Sequence, residues 1–354
     1  AQHVHGDLRQ WHRVVIDFQG PASSEEAVPN PFTEYRLNVT FSGPGGRSYL
    51  VPGYYAADGK AAETSAKAGQ TWRVCFMPDR VGRWGFRASF RRGKHVAASL
   101  DSSAGIPAAF DGASGSFDVS GSDKQAPDLR ARGLLQYVGE HYLKFAGTGE
   151  YFLKGGADSP ENFLAYREFD DSYDADAGSG SYKEVGTFIH AYTPHLKDWR
   201  PGDPTWKGGK GKGIIGMLNY LASKGMNSVY FLTYNLDGGD GRDTWMWTAP
   251  DVRDRFDCSK LDQWEIVFRH MDRLGMMLHV VTQETENDHK LGGGPGLNLR
   301  RKLYYRELVA RFGHHPAVVW NLGEENNTSD SDRKEIARYI RALDVYRHPI
   351  TVHT

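Results

Sequence analysis

The chain has 354 residues, 39% hydrophobic and 25% charged, with a formal net charge of −1 and a pI near 7.0. That length is long for one ordinary domain and fits two, and the balanced charge offers no electrostatic basis for binding nucleic acid or an anionic membrane. No apolar run approaches the ~20 residues of a membrane span, and the two cysteines, Cys75 and Cys258, lie far apart and outside any metal-ligand spacing.

Residues 1–123 read as all-β. Tyr35, Leu37, Val39 and Phe41 alternate with Glu34, Arg36, Asn38 and Thr40, the period of a half-buried strand. Trp72-Val74-Phe76 and Trp84-Phe86-Ala88-Phe90 repeat it, and turns at Gly43-Pro44-Gly45-Gly46, Ala57-Asp58-Gly59 and Arg92-Gly93-Lys94 separate the runs. A last short strand follows at Ser116–Val119. Short strands at such spacing predict an immunoglobulin-like sandwich. The polar run Ser120–Pro127 is the expected linker, and residues 124–145 lead into a second region, 146–354.

There the rhythm becomes α/β. Three helical patterns, around Ile214–Leu221, Trp264–Leu274 and Leu299–Phe312, each end near a glycine (Gly225, Gly275, Gly313) and pass into a short apolar run. Those runs are Ser228–Leu232, Met276–Val281 and the stretch from Ala317. Tyr151–Lys154 is expected to open the series, and Ile350–His353 to be the fifth strand after a helix at Ile336–Leu343. Alternating units of this kind predict parallel strands with outer helices. The expected fold is therefore a sandwich followed by a TIM (β/α)8 barrel, of which about the first five strands are present. A closed barrel takes roughly eight units and about 250 residues, so the barrel is expected to continue past residue 354, and these residues alone to be inactive.

Polar residues cluster after each expected strand, where such barrels carry their sites. Asp158, Glu161 and Asn162 follow the first, Tyr234 and Asn235 the second, and Glu284 the third. Glu324, Glu325 and Asn326 follow the fourth, and His353 ends the fifth. Carboxylic acids there can exchange protons with a substrate oxygen, which glycosidic cleavage requires. Trp199, Trp206, Trp245 and Trp247 stand in the long loops 167–212 and 238–260, where indoles can stack on sugar rings or simply pin the loops. Asp170, Asp171, Asp174 and Asp176 only loosely resemble a calcium loop and lack its glutamate. No other metal or cofactor is expected, since the chain has no Walker loop, no dinucleotide fingerprint and no His-Glu-x-x-His.

Val319-Trp320-Asn321-Leu322-Gly323-Glu324-Glu325-Asn326 resembles the strand-four signature of the large clan of retaining barrel glycosidases, Trp-x-Leu-x-Asn-Glu. The resemblance implies that Glu325 is the acid/base, with Glu324 replacing the usual Asn. It also implies a nucleophilic Glu after strand seven, beyond residue 354. Across nearly its whole length the chain resembles bacterial secreted proteins with a sandwich domain before a glycosidase-like barrel, often labelled collagen-binding-domain proteins. The stretches that carry this are Gly6–His12, Asn30–Arg36 and Gly155–Asn162. A secreted glycoside hydrolase acting on a polysaccharide is thus the first expectation. The second is a non-catalytic protein of the cell surface or matrix, binding a glycan or a partner on the same scaffold.

Overall fold

The computed structural model describes residues 2–175, 189–236, 243–292, 294 and 296–353. The first strands are β1 (Gln2–Gly6), β2 (Val14–Ser24), β3 (Tyr35–Gly43), β4 (Arg47–Pro52) and β5 (Tyr54–Tyr55). A one-turn helix α1 (Ala61–Thr64) precedes β6 (Ala68–Phe76), β7 (Gly82–Arg92), β8 (Ile106–Pro107) and β9 (Ser114–Val119). They form two antiparallel sheets, ordered β1-β2-β6-β5 and β4-β3-β7-β8, with β9 also on β7. The alternating apolar residues close the space between the sheets: Phe41 stacks on Phe76 at 4.1 Å and Trp72 meets Phe90 edge-on at 4.8 Å.

Two polar positions of the alternating pattern are nevertheless buried. Arg36 is 2% exposed because its guanidinium donates to the carbonyls of Ser99, Asp101 and Ser102. Arg73 is buried and paired with Asp17, since the outer face of the β1-β2-β6-β5 sheet is itself covered. Val15, Tyr54 and Cys75 of that face cluster with Ala310 of a later helix. Cys75 and Cys258 are both buried and free.

Next come α2 (Leu129–Arg132) and the short strands β10 (Leu135–Gln136), β11 (Leu143–Phe145) and β12 (Tyr151–Phe152), one antiparallel sheet. It packs beneath Met277, Ala317 and Val319, at the amino ends of the parallel strands. Tyr151–Phe152, expected as the first parallel strand, belongs here. The first parallel strand is instead β13 (Gly156–Ala157). Then follow α3 (Lys212–Ser223), β14 (Ser228–Leu232), α4 (Cys258–Leu274), β15 (Met277–Val281), α5 (Leu299–Phe312), β16 (Val318–Asn321), α6 (Asp330–Leu343) and β17 (Ile350–Thr351). Gly225 and Gly275 end α3 and α4 at φ of 80° and 78°, the left-handed turn expected of them, whereas Gly313 stays helical at φ −64°.

The expected beginning of a TIM barrel is overturned. The parallel strands form an open five-stranded sheet in the order β13-β14-β15-β16-β17. Its two edges, β13 and β17, are each paired over only two residues. Closure requires strands tilted and staggered around a full circle, and nothing among the described residues joins one edge to the other. The molecule is a sandwich-like β body joined to an open parallel sheet.

The join is extensive. Glu25 accepts from the backbone of Cys258 (2.8 Å), Arg311 donates to the Tyr55 carbonyl (3.0 Å), and Tyr339 to that of Ala98 (3.1 Å). Helix α5 thus rests on the antiparallel body, α4 is tied to it at its amino end, and both cover one face of the parallel strands.

Candidate functional site

The two faces of the parallel sheet differ. Val229, Phe231, Leu278, Val280, Val318 and Trp320 enter the main core with the helices. The alternate positions carry Tyr230, His279 and Asn321, because neighbouring residues of a strand point to opposite sides. Register places Tyr230 beside His279 and Val281 beside Asn321. The Tyr230 and His279 rings lie 4.8 Å apart. His279 meets the Lys154 ammonium at 2.8 Å and the Asn321 amide at 3.2 Å. Burial, then Lys154 and His353, pushes the His279 imidazole down to about 3, so it is neutral at ordinary pH.

Above these groups two carboxyls meet. Glu284 after β15 and Glu324 after β16 are joined by a parallel bridge and are 5% and 8% exposed. Asn235 donates to Glu284 at 2.6 Å, and the Asn287 amide in turn donates to Asn235. Burial, then the charges of Glu286 and Glu324, pushes the Glu284 carboxyl up to about 8. Glu324 lies 3.4 Å from His353, whose Nδ1 is also 3.2 Å from the Tyr230 hydroxyl. Tyr230 is raised by burial first and then by Glu324 and Glu161, which locates Glu161 at the same site.

The turn after β16 decides which acid faces inward. Gly323 has φ 146°, and a Cβ there would meet the Asn326 amide at 2.8 Å. Glu325 takes φ 46°, a left-handed conformation that costs a non-glycine residue roughly 1 kcal/mol or more. Glu324 is thereby turned under the rim and Glu325 is exposed. Asn326, expected to contact substrate, fastens this turn: its amide donates to the Leu322 carbonyl and its oxygen accepts from Thr328.

Of the sequence candidates, Glu284, Glu324, Asn235, Glu161 and His353 come together. Asp158 is exposed beyond β13. Asn162 is buried against His190 at 2.6 Å. Tyr234 lies in the core, edge-on to Trp247 at 4.8 Å with Arg253 over both rings. Trp206, Trp245 and Trp247 are almost completely buried, so these indoles pin loops and present no face to a sugar. Tyr230 and His279 escaped the sequence reading, and Lys154 and Glu286, though in the polar runs after the strands, were not among its site candidates. The available signal was an aromatic hydroxyl and an imidazole interrupting two apolar strands at matching positions.

Among the described residues one trio, Glu265, His314 and His315, has the donor types and closeness of a metal site. Its donors are already engaged. Arg13 occupies a Glu265 oxygen at 2.8 Å, and His315 bridges Glu265 and Asp272 at 2.9 and 2.7 Å. Burial opposes the charge on His315, yet Asp272 and Glu265 raise it to about 9, so a proton fills the place a cation would take. The suggested calcium ligands Asp170 and Asp171 pair with Lys207 and Lys67, and Asp176 lies outside the described residues. The larger cavities lie elsewhere, one of about 800 Å³ between α6 and β17 and another of about 800 Å³ beside Trp11, Tyr49 and Tyr346. The two carboxyls, 5% and 8% exposed, line neither of these cavities.

A family model described as a domain of unknown function, DUF5060, matches residues 7–91. No curated protein matches the chain in sequence. Among solved structures, a protein of Bacteroides vulgatus ATCC 8482, provisionally described as a glycoside hydrolase, is similar with a TM-score of 0.61 and 18% identity. The match covers 98% of this chain and 55% of that one. A pullulanase of Anoxybacillus sp. LM18-11 (TM-score 0.24, 10% identity, 97% of this chain and 47% of that one) is too distant in shape to support any inference. So is one of Paenibacillus barengoltzii (TM-score 0.25, 9% identity, 97% and 51%). The chain spans about half the length of these structures. The likeness to the Bacteroides protein is one of fold, and neither the collagen-binding label nor a particular glycosidase clan emerges from it. Among the described residues no helix is long and apolar enough to cross a membrane.

Proposed function

We propose that this pair of buried carboxyls is a glycoside hydrolase site in which Glu284 is the proton donor and Glu324 its partner. The observation that carries this reading is the pairing itself: two adjacent carboxyls, one held protonated at neutral pH by burial and by its neighbours. A protonated Glu284 can give its proton to a glycosidic oxygen as the bond to the anomeric carbon breaks. Glu324 then faces the positive charge that develops on the sugar ring, and a water adds to the anomeric carbon and returns a proton to Glu284. Tyr230 and His353 hold Glu324, and Asn235 holds Glu284. The acid/base role earlier given to Glu325 passes in this proposal to a buried neighbour, because Glu325 is exposed while Glu284 and Glu324 are buried against each other. The similar fold of the Bacteroides protein supports the reaction class, a polysaccharide is the proposed substrate, and secretion belongs to the same proposal.

The test is turnover of a polysaccharide and aryl-glycoside panel by the intact protein. Glu284→Gln and Glu324→Gln should each lower kcat by about 10²–10⁴-fold, with unchanged circular dichroism, while Glu325→Gln stays within a few-fold. Loss confined to Glu325→Gln would overturn the assignment. Glu324, standing where the retaining-glycosidase signature has Asn, favours a second reading, glycan binding without turnover. Saturable binding by a wild-type protein that cleaves nothing in the panel would support it.

A further inference from the structure

A groove crosses the end of the molecule opposite the two carboxyls, below the amino ends of the parallel strands. It consists of two adjoining cavities, of about 800 and 590 Å³, that share Gln136, Tyr346 and Arg347 as wall residues. The larger lies between β4, the turn after β6, the strands β10 and β11 and the segment after α6. The smaller continues past Arg347 to Tyr137 and Ile350. Volumes of this size are those of small-molecule sites, which favour the meeting of two bodies of a fold.

Aromatic side chains run along its length. Trp11, Tyr49 and Tyr346 are half-buried on the walls, and Tyr137 at the outer end is 67% exposed. Two wall residues have left-handed backbones, Trp11 at φ 64° and Arg347 at φ 58°. Bulky side chains seldom take that conformation, and residues held in it collect at ligand sites. Trp11 is fixed there: its N–H donates to the Pro78 carbonyl at 2.9 Å, and its ring lies only 2.8 Å from where a Cβ on Gly133 would stand. The Tyr346 hydroxyl accepts from the Met77 backbone at 2.8 Å, and Tyr49 donates to Asp79 Oδ2 at 2.9 Å. Asp79 Oδ1 is buried and unbonded. Buried polar atoms are ordinarily bonded, and a carboxylate oxygen accepts, so this one calls for a donor such as a hydroxyl. The charged side chains on the walls are Arg47, Arg80, Arg341 and Arg347 against Asp79 alone. Arg47 lies 3.7 Å from Asp79, and Arg341 lies 3.8 Å from the buried Asp344 behind the wall. With both carboxylates counted, Arg80 and Arg347 remain, both exposed at the rim.

We propose that this groove is a second carbohydrate site, binding a few residues of a glycan that carries uronic acids. Aromatic rings offer apolar faces to pyranose rings, Asp79 Oδ1 accepts from a sugar hydroxyl, and the guanidiniums of Arg80 and Arg347 pair with sugar carboxylates. The groove and the Glu284–Glu324 pair occupy opposite ends of the parallel sheet, so a polymer held here does not compete for the carboxyls. The site is independent of the hydrolase reading, because binding in the groove requires no turnover.

The experiment is isothermal titration of the intact protein with tetramannuronate and tetragalacturonate, and with neutral cellotetraose, at matched ionic strength. Saturable binding of at least one tetrauronate, about tenfold or more tighter than cellotetraose, is the expected result. It should weaken about tenfold or more in Tyr137→Ala and in Arg347→Gln. It should be unchanged in Glu284→Gln and in Tyr142→Ala, whose tyrosine is 47% exposed but outside the groove. Tyr137 and Arg347 are exposed, so both variants are expected to fold, and their circular dichroism checks that. No saturable binding, equal affinity for cellotetraose, or binding lost in Glu284→Gln yet kept in Tyr137→Ala would overturn the proposal.

Discussion

The antiparallel body and the parallel sheet follow the same alternation of side chains but cover their faces differently. In the β1-β2-β6-β5 sheet one face meets the opposing sheet and the other meets α5. Every polar group caught inside must then be matched locally, as Arg73 is by Asp17. In the parallel sheet the helices cover one face only. The other keeps Tyr230, His279 and Asn321 in a row that leads up to Glu284 and Glu324. A sheet buried on both sides yields a scaffold. A sheet with a partly uncovered face can hold titratable groups at unusual protonation, and there the candidate chemistry collects.

The comparison is broken most severely by substitutions in the closed body. Trp72, 1% exposed and packed against Tyr35, Tyr55 and Phe90, should cost about 3–5 kcal/mol as Trp72→Ala in a urea titration. Trp247→Ala tests whether the indole loops belong to the core or to the site. Its burial predicts a loss of the same order, with sugar affinity of the folded protein little changed. A selective loss of affinity in a fully stable variant would return Trp247 to the site.

A pH series sharpens the contrast at smaller magnitude. Glu284 is raised to about 8 by burial, Glu286 and Glu324, and Glu25 to about 7 by burial and Asp257, from an ordinary 4.5. Both carboxyls keep in the folded state a proton that the unfolded chain releases. A raised carboxyl contributes stability that is complete below its unfolded value and lost as pH rises through its folded value. Stability should therefore fall from about pH 4.5 toward 8, at roughly 1.4 kcal/mol per pH unit for each group protonated only when folded. Urea midpoints across that range should flatten by one such slope in Glu284→Gln, and in Glu25→Gln up to about pH 7. The smallest effect belongs to the uncovered face. Tyr230→Phe removes a hydroxyl bond to His353 and should cost less than about 1 kcal/mol in the same titration, while lowering turnover if Tyr230 steadies Glu324.

Much of the element order was legible in the residues. Period-2 runs at Tyr35–Phe41 and Trp84–Phe90 became strands, and the apolar stripes of α3, α4 and α5 became helices ended near Gly225, Gly275 and Gly313. These depend on local sterics and on short repeats, which neighbouring residues carry by themselves. The assignment of Tyr151–Phe152 to the parallel sheet failed because an apolar run does not state which strands it will pair with. The expected first five strands of a TIM barrel failed for a related reason: whether parallel strands curl toward closure depends on tilt and stagger, neither of which is written in any one unit.

The candidate site divides along the same line. That acids and amides gather after the parallel strands was determined by the sequence, since Glu284, Glu324 and Asn235 each directly follow an apolar run. Which carboxyl turns inward, and which keeps its proton, was decided only in three dimensions. Gly323 and the left-handed Glu325 rotate one glutamate under the rim and its neighbour into water, and the strand register then sets Glu284 beside the buried one. Protonation follows from burial and from the distance to like charge, and both are properties of the assembled sheet.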